Sequence, residues 1–163
     1  MIRVGSRGVA AAALAVALVG ALSFGGAQVW KLRADSQHRH ERSQVVKAVR
    51  AEVLALTSIS ATTTDKQIGE LLDGMTGHLR GEFASQADAF RQAMVQSKVQ
   101  SRGRVVAVGL TSITARRASA VVAAVARVSN SGTAGEQERS YRLSLTLKKV
   151  GARWLVDDME FVP

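Results

Sequence analysis

The chain has 163 residues, a formal net charge of +9 and no cysteine, a length that suits one domain plus an appendage. Without cysteine there can be no disulfide staple, zinc–thiolate site or thiol nucleophile, so packing alone must hold the fold. The basic balance lacks the aromatic interleaving that base stacking needs, since only two Trp, one Tyr and four Phe are present; it reads as a solvated surface facing anionic headgroups or cell-wall polymers, with no nucleic-acid partner.

Residues 1–8 form a short tail, and residues 9–30, Val9 to Trp30, carry no charged side chain. A bilayer core takes about 20 apolar residues at helical rise, so this stretch reads as a membrane span. Trp30, followed by Lys31 and Arg33, supplies the interfacial aromatic and the snorkelling cations of an anchor boundary. A cleaved secretory signal is the rival reading, with Arg3 and Arg7 as its basic start and Gly25-Gly26-Ala27 as its cleavage site. The length of the apolar run, and the helical pattern that resumes beyond Lys31, favour a retained anchor. All 13 acidic residues follow the span, against 20 of the 22 Lys and Arg, which leaves the remainder at +7. Cations flank the span on both sides, so charge leaves the topology open.

Residues 31–44 read as a helical juxtamembrane linker and residues 45–163 as an α+β domain. Apolar residues at Val45 or Val46, Val49, Val53 and Leu56 predict a first helix ending near Thr57,. A Thr- and Ser-rich cluster interrupts it, and Thr64-Asp65-Lys66-Gln67 reads as a capping box with Thr64 at the N-cap. Ile68, Leu71, Leu72, Met75 and Leu79 make one amphipathic stripe, with a break expected near Thr76-Gly77. Phe83, Ala87, Phe90 and Met94 continue as a third helix. After Lys98 the period becomes 2. Val106, Val108 and Leu110 alternate; Ala120 to Val128 reads as a strand covered on both faces. Residues 129–135 form a loop, Tyr141, Leu143, Leu145 and Leu147 line one face of a half-buried strand, and Trp154 to Val162 is the last strand. Three helices followed by about four strands predict helices packed on one face of an antiparallel meander.

Little in this chain looks like chemistry. His38 and His40, at i and i+2 of a helix, point to different sides and cannot share a metal. His78, beside the expected helix break, is the one histidine of the folded part. Asp158 and Glu160 share a strand face but alternate with Leu155, Met159 and Phe161, as the wet face of an edge strand would. No phosphate loop, nucleophile motif or metal spacing is present, so neither an enzyme nor a cofactor or metal site is expected.

In the order of its features the chain resembles the actinobacterial Mce-associated membrane proteins, accessory to the mammalian-cell-entry (Mce) lipid-transport systems. The residues that carry the likeness are the Ala-rich span, Leu54-Ala55-Leu56-Thr57-Ser58, the segment Leu71-Leu72-Asp73-Gly74-Met75-Thr76-Gly77-His78-Leu79-Arg80 with Phe83 after it, and Gly151-Ala152-Arg153-Trp154-Leu155-Val156. The resemblance implies a fold like nuclear transport factor 2 or cystatin, with a curved sheet wrapped against helices. It also implies a cytoplasmic N-terminus, an extracytoplasmic domain, and association with machinery that moves lipids or sterols. The same fold hosts cyclases and dehydratases, and related architecture occurs in inner-membrane subunits of type IV secretion, so fold alone does not fix function. The leading expectation is a non-enzymatic accessory protein that stabilises an Mce-type import complex. The alternatives are a lipid carrier or an assembly subunit of a secretion-type complex. In the carrier reading Tyr141, Leu143, Leu145, Leu147 and Trp154 line the ligand face; otherwise they are ordinary core. Nothing in the sequence sets the oligomeric state.

Overall fold

The computed structural model describes residues 37–62, 64–132 and 134–162. The tail, the expected span and its boundary at Trp30, Lys31 and Arg33 lie outside the described residues. Among those described, no helix is long and apolar enough to cross a membrane. One compact unit runs from Arg42 to Pro163.

Helix α1 covers residues 37–57. Val45, Val49 and Val53 recur every four residues, which places them on one stripe, and all three are fully buried,. Ser- and Thr-rich residues end the helix by tying its exit to the start of the sheet. Thr57 Oγ1 donates back to Val53 O at 2.6 Å, Ser101 Oγ donates to Thr57 O at 2.6 Å, and Ser101 N donates to Ile59 O at 2.8 Å. Gln67 makes a bridge to the preceding loop: it accepts from Ser60 N at 2.8 Å and donates to Ser58 O at 2.7 Å. Gln67 thus fastens the loop before helix α2 (Thr64–Gly74).

Helix α3 (Gly77–Gln96) follows α2 after the expected break. Gly77 has φ +60°, a left-handed conformation that only glycine adopts without strain,. The other end of α3 is a Schellman closure: Lys98 N donates to Val95 O at 3.1 Å and Val99 N to Met94 O at 3.0 Å,. Here a lysine, Lys98 at φ 48°, holds the position that glycine usually takes.

Strands β1 (Gln100–Ile113), β2 (Arg117–Ser129), β3 (Gln137–Val150) and β4 (Arg153–Phe161) form one antiparallel meander in the order β1-β2-β3-β4. Inward residues of β2, β3 and β4 meet α1 in the main core, which contains Val122, Leu143, Leu145, Leu147, Trp154 and Val156. Each such side chain contributes roughly 1.5–3 kcal/mol by leaving water. The inward positions of β2 are otherwise Ala118, Ala120, Ala124 and Ala126, small enough for a helix to lie close to the sheet.

Two strand expectations need correction. β2 is buried on one face only, and Val121 on the other face remains 47% exposed, because α1 packs against a single side of the sheet. On β1 the inward residues are Val105, Val108 and Leu110, while Val106 is exposed. The register shift between Val105 and Ala107 inserts one extra residue, and a bulge exchanges the faces on either side of it,.

Candidate functional site

Glutamate 52 belongs to the apolar stripe of α1, three residues after Val49 and seven after Val45, so the helix carries it inward with the valines. Its residue surface is 3% exposed. Among the described residues Glu52 Oε1 has no hydrogen-bond partner. Burial pushes its carboxyl up to about 8, because a charge removed from water is penalised while the neutral acid is not. Glu52 lines a groove of about 590 Å³ between α1, the end of α2 and the β3–β4 hairpin. Ala48, Ala51 and Ala55 of α1 form one apolar wall, and Trp154 and Leu155 of β4 form another. Lys47, Glu70, Asp73 and Arg153 supply the charges of the lining.

Sequence segments far apart build this site. Gly74, the last residue of α2, has no room for a side chain: a Cβ there would overlap Glu52 Oε2. Met75 then bridges to Val156 of β4, Thr76 N donates to Val156 O at 2.8 Å, and Arg153 Nη2 donates to Asp73 O at 2.8 Å. The 71–80 segment and the 151–156 segment, separate in sequence, therefore meet along one seam. Asp157 is the residue bulged out of the β3–β4 register. It pairs with Lys148 Nζ at 2.8 Å, and its Oδ1 lies 2.5 Å from where a Cβ on Gly77 would stand. A carboxylate at the start of α3 complements the helix dipole.

Of the five residues of the expected apolar face, Leu143, Leu145 and Leu147 are fully buried in the core that includes α1. Tyr141 is half-buried, with its ring 6.1 Å from that of Phe161. Trp154, 5% exposed, is the one of the five that also lines the groove, and Lys149 Nζ lies 5.6 Å above its ring. His78 is not in the groove: its side chain is 85% exposed, and its Nε2 lies 3.0 Å from Glu82 Oε1. Asp158 and Glu160 are exposed on the edge strand. Among the described residues no cluster of three or more His, Cys, Asp or Glu could hold a metal. Sequence reasoning missed Glu52; the signal was an acid on a helix stripe otherwise made of valine.

Three helices with a four-stranded antiparallel meander define the nuclear transport factor 2-like class. A solved protein of that superfamily from Salmonella enterica matches with a TM-score of 0.52 at 15% identity, over 74% of this chain and 92% of that one. An IcmL-like type IV secretion system protein from Legionella pneumophila matches at 0.60 and 12% identity, over 75% of this chain and 92% of that one. The periplasmic domain of DotI matches at 0.58 and 11% identity, over 74% of this chain and 94% of that one. Within this class the chain belongs to the family described as "Uncharacterized protein Rv1363c/MT1408-like", whose sequence model matches residues 6–163. A relative from Mycobacterium tuberculosis H37Rv, "Uncharacterized protein Rv1363c", is 28% identical over 155 residues, which is 95% of this chain. The chain spans 59% of that relative's length.

Proposed function

We propose that the chain is a non-enzymatic, membrane-anchored assembly subunit of an envelope protein complex, its α+β unit lying outside the cytoplasmic membrane and docking partner proteins. The observation that carries this reading is the fold, which recurs in a type IV secretion system protein and in the periplasmic domain of DotI. The charge-free stretch from Val9 to Trp30 supports it from the sequence side, since it supplies an anchor of bilayer length ahead of the domain,. The groove at Glu52 suits recognition, because it sets a buried carboxyl beside apolar walls of alanine, tryptophan and leucine,.

The finer identity of the complex is an Mce-type lipid or sterol importer. Support for it comes from the 71–80 and 151–156 segments, whose residues carry the resemblance to Mce-associated proteins and pack against each other along one seam. Purification of the full-length chain in mild detergent tests both levels. Recovery of several envelope proteins in stoichiometric amount is expected, with Mce subunits among them under the finer reading. A secretion-type assembly without Mce subunits overturns the finer reading alone. A chain that purifies without envelope partners overturns both.

A further inference from the structure

The groove has the features of a receptor for a cation. Glu52, one of its lining residues, is buried, and its Oε1 finds no partner among the described residues. The C-terminal end of α2 borders the groove through Asp73 and Gly74, and the carbonyl end of a helix carries partial negative charge. The charged groups facing Glu52 are Lys47 on α1, Glu70 and Asp73 on α2, and Arg153 at the start of β4. Arg153 is engaged with Asp73 O at 2.8 Å. Glu70 is already paired with Lys66 at 3.5 Å, whereas Glu52 Oε1, once ionised, has no donor against it among the described residues.

We propose that this groove receives the side chain of a lysine presented by a protein partner, its ammonium against the Glu52 carboxyl and its aliphatic stem along Ala48, Ala51 and Ala55. A compact ammonium fits better than a guanidinium. A planar fork needs both carboxylate oxygens, and Oε2 is turned into the space that a side chain at Gly74 would fill,. The proposal rests on the reading of the chain as a docking subunit and names what it docks. Because Glu52 is neutral until about pH 8 in the free protein, seating an ammonium expels a proton. Apparent affinity then rises with pH by up to about tenfold per unit below that point and levels off above it.

The test uses the full-length isotope-labelled chain in detergent micelles. It is titrated with a short alanine peptide carrying one central lysine, between roughly pH 6 and pH 9. The expected result is perturbation of the amides of Glu52, Gly74 and Trp154, with a dissociation constant that falls as pH rises. The same peptide with norleucine for lysine leaves those amides unmoved, and Glu52→Gln, folded by circular dichroism, loses both binding and pH dependence. Calorimetry of the unaltered chain in two buffers of different ionisation enthalpy shows proton release, a readout independent of any variant. Equal binding of the norleucine peptide, or undiminished binding by E52Q, overturns the proposal. Perturbation of these amides by lysophosphatidylethanolamine but not by the peptide overturns the choice of a protein partner. Loss of groove binding while envelope partners still co-purify overturns this inference and leaves the docking role standing.

Discussion

At the residue scale the tightest coupling is between Glu52 and Gly74. The Glu52 carboxyl is buried and its Oε2 occupies the space of a Cβ at position 74, so a methyl there must displace it or the helix end. Gly74→Ala is expected to destabilise the domain by about 1–3 kcal/mol, the usual result of overpacking. In an E52A background the same change is expected to be neutral or stabilising, since alanine outperforms glycine in a helix by up to about 1 kcal/mol. A double-mutant cycle by denaturant unfolding measures that reversal, and additive effects would show that the two residues do not compete for space. Trp154 makes a simpler case. It is buried between the core and the groove, and Trp154→Ala is expected to cost about 3–5 kcal/mol, most of the stability of a small domain. An unchanged melting temperature would remove it from the core.

At the element scale, what the sequence revealed depended on whether a pattern was set locally. The stripe Val45, Val49, Val53 fixed α1, and the Gly77 break and the leucine alternation of β3 were equally readable, because each follows from periodicity or from one residue's backbone preference. The face of β1 was misassigned because a bulge at Val106 leaves no mark in composition, and the exposed face of β2 was misassigned because valine and alanine suit both covered and open strands. The groove was hidden for a different reason: its walls come from α1, α2 and the last hairpin, and only folding brings Glu52, Gly74 and Trp154 together. One element still carries a local mismatch. Lys98 closes α3 at φ 48°, where a Cβ costs roughly 1 kcal/mol. Lys98→Gly is expected to raise stability by about 0.5–1 kcal/mol, read as a shift in the urea midpoint at constant slope. A loss of stability would mean that the lysine side chain contributes more than its backbone strain costs.

For the whole molecule, the buried acid Glu52 gives stability a dependence on pH. Glu52 has an ordinary value of 4.5 and is held near 8 in the fold by desolvation. Below pH 4.5 it is protonated in both folded and unfolded chains and favours neither. Between 4.5 and about 8 the unfolded chain releases the proton while the folded chain keeps it, so the unfolded state binds fewer protons and stability falls as pH rises. The slope approaches about 1.4 kcal/mol per unit across that window and vanishes above it. Urea unfolding from about pH 5 to pH 9 is expected to show this decline, and Glu52→Gln is expected to flatten it, leaving the variant more stable than the parent at pH 8 but not at pH 5. A parent whose stability is level across the window would mean that Glu52 is hydrated or paired in solution. The same decline is what a cation seated in the groove would reverse: an ammonium that pairs with the ionised carboxyl binds only the folded chain, so a saturating lysine peptide is expected to restore stability at pH 8 and to leave it unchanged at pH 5.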